Sequence, residues 1–230
     1  MKNLPSFQTL SSLSDNFYQA QCIVQKHEIL VCGQGVCYSY FIPGNKYKLV
    51  CQYPNEYLYD GNHILKLPNK DDSKETILWL LGGPYGRISV MNYVSVWKKR
   101  GIDKTAGYNE WNPLLNSNKE PICISKKNYN YREVRTVIGG SNNHLLFITY
   151  YKSIDVFDLN TYKYVANVSL PIINRVNFNY FGSEPEKPFA VEMLPPIKNK
   201  KSKMLLFYES TGLSIEYDED NKLFQFDNLR

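Results

Sequence analysis

One spacing constrains this chain more than any other. Three times, an alternating apolar segment ends in an aromatic residue, crosses a polar turn and meets a second aromatic seven positions on: Tyr40 and Tyr47, Phe157 and Tyr164, Tyr217 and Phe224. The turns are Pro43-Gly44-Asn45, Asp158-Leu159-Asn160-Thr161 and Asp218-Glu219-Asp220-Asn221. A fourth copy carries Trp97 and Trp111, fourteen apart, and reads as the same hairpin with a loop enlarged around Lys98-Lys99-Arg100-Gly101. The first aromatic moves from 40 to 97, 157 and 217, in steps of 57, 60 and 60. A fixed period of this size means one structural unit copied along the chain.

Two more β-type segments precede each pair. They are Cys22 to Val24 with Ile29 to Cys32, Ile64 to Leu67 with Ile77 to Leu81, Val134 to Ile138 with Leu145 to Thr149, and Phe189 to Met193 with Met204 to Phe207. The segments are rich in β-branched and aromatic residues and are separated by Asn, Asp, Gly, Pro and Lys, with little helical periodicity. Four strands per unit at this period point to blades of a β-propeller and away from a sandwich. The expected fold is therefore all-β: about four four-stranded antiparallel blades in a single domain over 1–230. The unit boundaries fall at 19–55, 56–116, 131–171 and 187–230. Composition agrees, since 43% hydrophobic and 14% aromatic residues are too many for a solvated coil. Gly (13) and Pro (12) are too few for a collagen-like or low-complexity chain.

The segments resemble the kelch repeats of galactose-oxidase-like β-propellers. Kelch blades carry a second strand ending in Gly-Gly, an aromatic in the third strand and a Trp opening the fourth. Leu78-Trp79-Leu80-Leu81-Gly82-Gly83 followed by Trp97 and Trp111 matches best, and Val31-Cys32-Gly33-Gln34-Gly35 with Tyr40 and Tyr47 is a degraded version. The resemblance implies that the diglycine takes up positive φ between strands two and three. The later units depart from it: Gly139-Gly140 precedes its second strand, the last unit keeps only Gly212, and Tyr47, Tyr164 and Phe224 stand in for the Trp. Kelch rings hold five to seven blades, so four is few. Ser6-Phe7-Gln8-Thr9-Leu10 (within 1–18) reads as an orphan outer strand, and Phe224 to Leu229 already closes the fourth unit. The chain is accordingly expected to be a partial or truncated propeller, or one that closes by unusual means. Trp79, Leu80, Phe147 and Leu206, on second strands, are expected to be interior.

Little in the sequence supports chemistry. His27, His63 and His144 are the three histidines; His27 and His144 precede second strands and read as turn residues. No Ser, Cys or Thr sits in a G-x-S-x-G elbow. Gly82-Gly83-Pro84-Tyr85-Gly86 lacks the Lys-Ser/Thr and helix of a phosphate loop. Asp218-Glu219-Asp220-Asn221 lacks the glycine and distal Glu of a calcium loop. The copper site that the galactose-oxidase resemblance would imply has no visible motif context. The five cysteines (Cys22, Cys32, Cys37, Cys51, Cys123) show no zinc spacing and are expected to be reduced thiols in a cytoplasmic protein. No apolar run is long enough to span a membrane, and the N-terminus lacks the h-region of a signal peptide. The sequon Asn167-Val168-Ser169 is read as a chance match.

Basic clusters at Lys98-Lys99-Arg100, Lys126-Lys127 and Lys198 to Lys203 fall in expected loops, but a net charge of +5 is mild, and they read as solvated lysines. Phe178 to Lys203 reads as an insertion in the fourth unit. The expected function is a non-enzymatic protein-interaction module of kelch type, a scaffold or adaptor with protein partners. No catalytic residue, metal, cofactor or small-molecule ligand is indicated, and nucleic acid is disfavoured. The alternatives are an oxidase-like propeller enzyme and a basic-loop nucleic-acid binder.

Overall fold

A computed structural model describes residues 11–13, 17, 20–55, 62–68, 76–82, 86–97, 107–124, 134–150, 153–171, 190–194, 200–208 and 211–229. They form four antiparallel four-stranded sheets, each from consecutive strands in chain order. Sheet 1 holds β1 (Gln21–Gln25), β2 (Glu28–Gly33), β3 (Val36–Phe41) and β4 (Lys46–Gln52). Sheet 2 holds β5 (His63–Lys66), β6 (Thr76–Gly82), β7 (Arg87–Tyr93) and a short β8 (Asn112–Pro113). Sheet 3 holds β9 (Arg135–Gly139), β10 (Leu145–Tyr150), β11 (Ser153–Asp158) and β12 (Lys163–Ser169). Sheet 4 holds β13 (Ala190–Met193), β14 (Lys201–Tyr208), β15 (Thr211–Asp218) and β16 (Leu223–Asn228).

Local chemistry builds each hairpin. Between β2 and β3, Gln34 and Gly35 both take positive φ, 47° and 82°, the pairing a two-residue turn needs to match strand twist. In the outer hairpins of sheets 3 and 4 an aspartate organises the turn. Asp158 Oδ1 accepts from the backbone N–H of Asn160 and Thr161 at 2.7 and 2.9 Å, and Asp218 Oδ1 from Asn221 N–H at 2.9 Å. The expected calcium-free polar hairpin at Asp218 to Asn221 is thus an Asx-type turn.

Three apolar layers hold the sheets in a row. Leu30 and Ile23 of sheet 1 meet Leu78, Leu80, Met91 and Tyr93 of sheet 2. Trp79, Leu81 and Ile88 of sheet 2 meet Leu146, Ile148 and Phe157 of sheet 3. Leu145, Phe147 and Val156 of sheet 3 meet Met204, Leu206, Ile215 and Tyr217 of sheet 4. Side chains alternate across a strand, so β6 sends Leu78 and Leu80 one way and Trp79 and Leu81 the other. Trp79, Leu80, Phe147 and Leu206 are all buried. The first strands adjoin in the order β1, β5, β9, β13. Polar ties stitch the neighbours. Gln21 Nε2 donates to Asn62 O at 2.6 Å, its Oε1 accepts from Ile64 N–H at 2.7 Å, and Gly140 N–H donates to Ser202 Oγ at 2.9 Å. Among the described residues no apolar layer joins sheet 4 back to sheet 1, so each has one face outside the stack. The fold is all-β and propeller-like, with an incomplete ring of four blades.

Two expectations need correction. Cys32 and Cys37 are not free thiols but a disulfide. The tight turn at Gln34-Gly35 sets them directly opposite one another in the β2–β3 register, with a Cα separation of 4.2 Å. Cys22, Cys51 and Cys123 are free. The second correction concerns Trp97 and Trp111, which are not the cross-strand pair of sheet 2. β7 ends at Tyr93, and β8 pairs through Ser89↔Pro113 and Val90↔Asn112. Trp97 therefore lies past the strand, and Tyr93 is the aromatic that ends it. Gly83, Ser6 to Leu10, Lys98-Lys99-Arg100, Lys126-Lys127, Lys198 and most of the Phe178 to Lys203 stretch fall outside the described residues.

Candidate functional site

The three regular aromatic pairs lie directly opposite one another between third and fourth strands: Tyr40↔Tyr47, Phe157↔Tyr164 and Tyr217↔Phe224. Their ring centroids are 4.9, 5.5 and 4.7 Å apart. Phe157 and Tyr217 pack toward the preceding sheet, so these residues are placed as packing groups. Gly82 closes β6 at φ 131°, and a Cβ there would stand 2.8 Å from Asn62 Oδ1. Asn62 leads into β5, so the glycine permits a close approach inside sheet 2.

The irregular second unit behaves differently, and its two tryptophans come together with sheet 1. Trp111 is buried and meets Tyr53 edge-on at 6.1 Å. Trp97 stacks on Phe41 at 5.3 Å, donates its Nε1–H to Ser39 Oγ at 2.9 Å, and has Lys46 and Lys48 Nζ at 5.2 and 5.9 Å from its ring centroid. Register explains the grouping, because Phe41 is opposite Lys46 and Ser39 is opposite Lys48. All four residues therefore share the face that sheet 1 turns to sheet 2. Lys48 Nζ also donates to Val96 O at 2.7 Å.

Beneath Trp97 lies a buried carboxylate. Glu28 Oε2 accepts from Ser39 Oγ–H at 2.7 Å and from Tyr93 Oη–H at 2.5 Å. Burial, then the acceptor on Glu28, push the Tyr93 phenol well above its ordinary range, so it stays a donor. A buried polar group is tolerated only when its hydrogen bonds are made, and here two hydroxyls from different sheets serve the Glu28 carboxyl. The loop that leaves at Trp97 is clasped at its far end by Asn109. Its Oδ1 accepts from Val94 N–H at 2.9 Å, its Nδ2 donates to Val94 O at 3.0 Å, and its own N–H donates to Asn92 O at 3.0 Å. The amide side chain thus imitates one more strand residue. The stretch between these clasps, 98–106, is outside the described residues.

Sequence reasoning missed Glu28, Ser39, Tyr93 and Asn109. Glu28 was readable in part, because it shares strand parity with Leu30 and Cys32 and so falls on a buried face. Nothing in the sequence assigned Asn109 its clasp. Elsewhere, His63 Nδ1 is 2.7 Å from Thr136 Oγ1 across sheets 2 and 3, and burial with Arg135 nearby pushes it down to about 3. Burial raises the Cys51 thiol to about 12. His27 is exposed in the β1–β2 turn, and His144 lies just before β10 with its carbonyl accepting from Leu159 N–H at 2.8 Å. Among the described residues no three His, Cys, Asp or Glu side chains gather as metal ligands would, and no helix is long and apolar enough to cross a membrane.

The fold and this inter-sheet site define a propeller-type blade array with Trp97 and its lysines set between its first two blades. No family model matches the chain, and no curated protein sequence matches it. Solved structures do. The WD40 domain of SCAP from fission yeast aligns at TM-score 0.42 and 13% identity, over 96% of this chain and 51% of that one. A chain of a mitotic checkpoint complex aligns at TM-score 0.35 and 8% identity, over 99% and 86%. A chain of the fission yeast SREBP–SCAP binding-domain complex aligns at 0.33 and 12%, over 93% and 64%. The chain thus spans about half the length of the first of these.

Proposed function

We propose that the chain is a non-enzymatic protein-interaction module, of kelch type in its repeat pattern, that presents the loop between Trp97 and Asn109 to a protein partner. The observation that carries this reading is the construction of the loop's base. Both ends are fixed by side chains, Trp97 on sheet 1 and Asn109 on Val94, while the neighbouring hairpins are closed by short turns. A long connection held at both ends by a rigid scaffold is the usual way a fold carries a binding site. Glu28 and Tyr93 serve that scaffold by locking sheet 1 to sheet 2. The kelch assignment rests on the Gly82-Gly83 strand end and the aromatic spacing.

Affinity capture of the tagged chain from its native cells, read by mass spectrometry, tests the proposal. Reproducible partners that disappear when the loop from Lys98 to Tyr108 is replaced by a Gly/Ser linker support it. Recovery of chaperones alone, from both forms, refutes it.

A further inference from the structure

The rim around Trp97 carries three lysines, and among the described residues no carboxylate is paired with them. Lys26, Lys46 and Lys48 are all exposed. Lys46 and Lys48 are drawn to one indole ring, so an aromatic quadrupole and not a carboxylate holds the two ammonium groups together. The turn bearing Lys26 is fastened to the same end of sheet 1, because Ile42 N–H donates to the neighbouring His27 O at 3.0 Å. The acid of this cluster, Glu28, is buried with its Oε2 occupied by Ser39 and Tyr93, and so offers no exposed counter-charge. Beside the lysines stands an exposed apolar side chain, Ile42, at 46% of its full accessibility.

We infer that this rim docks an acidic peptide segment, whose carboxylates meet Lys26, Lys46 and Lys48 while an adjoining aliphatic side chain rests on Ile42. The inference rests on the interaction-module reading and supplies the chemistry of the partner. Like charges side by side repel, and a ligand of opposite sign relieves that repulsion as well as adding its own attraction. Lys48 spends one N–H on Val96 O and keeps two for a carboxylate. A peptide fits better than nucleic acid. One face of the indole is taken by Phe41 and the ring is already engaged by two ammonium groups, and the apolar spot beside the charges suits a side chain.

The test is fluorescence anisotropy of the full chain with a labelled peptide of Glu-Glu-Leu repeats in low-salt buffer. A Lys-Lys-Leu peptide and a labelled oligo-dT serve as competing probes. The expected result is binding of the acidic peptide alone, weakened about tenfold or more by Lys46→Glu with Lys48→Glu. The Lys46→Arg/Lys48→Arg pair, which keeps the charge, should bind as wild type, and so should Lys203→Glu on sheet 4. Circular dichroism of each variant establishes that it is folded, and Lys46→Gln/Lys48→Gln replaces the reversal should that one unfold. Absence of acidic-peptide binding, or equal binding by the charge-reversed or neutralised pair, overturns the inference. Oligo-dT binding as tight as the peptide's, with the same sensitivity, overturns it in favour of a polyanion surface. In the capture experiment, partners retained by the charge-reversed protein refute the acidic site alone. Partners absent from wild type refute the module itself.

Discussion

Strands β6 and β10 of the middle sheets and strands β2 and β14 of the end sheets hold the same place, second from the inside, yet they are built differently. β10 (LLFITY) is buried at every position, and β6 (TILWLLG) at all but one. β2 (EILVCG) alternates between buried and partly exposed, and β14 alternates likewise, with Ser202, Met204 and Leu206 buried and Lys201, Lys203 and Leu205 less so. A strand with a sheet packed on each side must be apolar on both faces, whereas one at the end of a row needs a single apolar face. The hydrophobic pattern of a blade's second strand therefore reports the blade's place in the row.

The largest expected effect comes from breaking that contrast directly. Phe147, fully buried between sheets 3 and 4, should cost about 3 to 5 kcal/mol when changed to Ala. Leu205, on the outer side of β14, should cost about 1 kcal/mol or less. Urea denaturation of the two variants decides the matter, and equal losses would mean that sheet 4 is covered on both sides.

Glycine sharpens the comparison at the next level down. Gly82, at the end of a middle-sheet strand, combines φ 131° with a Cβ position 3.1 Å from the backbone of Asn62. Gly82→Val should therefore cost about 1 to 3 kcal/mol. Gly212 in sheet 4 has no positive φ, and its closest neighbours are the side chain of Leu229 near the chain end. Gly212→Ala should cost clearly less, as the leucine can swing aside. Thermal melts of both variants provide the check, and a larger drop for Gly212→Ala would contradict it.

Much of this architecture was legible because a hairpin in each of sheets 1, 3 and 4 announces itself locally, through Gln34-Gly35, Asp158 or Asp218. The strand count and the cross-strand pairs at 40 and 47, 157 and 164, and 217 and 224 follow from that local chemistry. What failed in sheet 2 has a physical cause. A spacing rule assumes a fixed interval between paired strands, and β7 ends at Tyr93 while β8 begins only at Asn112. The spacing therefore points to the more conspicuous Trp97, while Tyr93 holds the strand-ending position. The disulfide was hidden by an argument from compartment, although two residues flanking a tight turn, Cys32 and Cys37, must face each other. The grouping of Trp97 with Lys46 and Lys48 depends on a neighbouring sheet, and no local pattern encodes that.

The sheet 2–sheet 3 junction and the surface of sheet 4 should also part under acid. His63 is pushed from 6.5 to about 3 in the folded protein, so its neutral form is the folded form. Below pH 6.5 the unfolded chain takes up a proton that the folded chain refuses. Stability present above that pH is lost as pH falls toward 3, by up to about 1.4 kcal/mol per unit. His63→Gln keeps a hydrogen-bonding group for Thr136 but does not titrate. Denaturation at pH 7.5 and pH 5 should show wild type losing up to about 2 kcal/mol more than the variant. Lys201→Gln, which removes the partly exposed Lys201–Glu216 pair (2.7 Å), should leave that pH profile unchanged. An identical profile for wild type and His63→Gln would show that the histidine is solvated.

The smallest effect on stability, and the most telling about the ends of the row, concerns the two outer faces. On sheet 1 the register lines up Cys22, Val31, Tyr38 and Leu49, and beside them Val24, Ile29, Tyr40 and Tyr47, without a charge in either row. On sheet 4 the corresponding rows are Lys203, Glu216 and Gln225, then Lys201, Asp218 and Leu223. A polar outer face is what keeps the terminal unit of a repeat array from associating, and among the described residues sheet 4 has such a face while sheet 1 carries an apolar one, in which Tyr40 is buried. Phe17 meets Tyr38 edge-on at 6.2 Å, and Ser11 N–H bonds Asn45 Oδ1 at 3.0 Å, but Val24 and Leu49 still keep 64% and 49% of their accessibility. Placing lysine at both positions removes little packing, and stability should stay within about 0.5 kcal/mol of wild type. Self-association measured by light scattering at rising concentration should nonetheless fall. The reverse change on sheet 4, Lys203→Leu, should raise it. Should the lysine pair on sheet 1 unfold the chain, that face is packed against something in the folded state, and the difference between the two ends disappears.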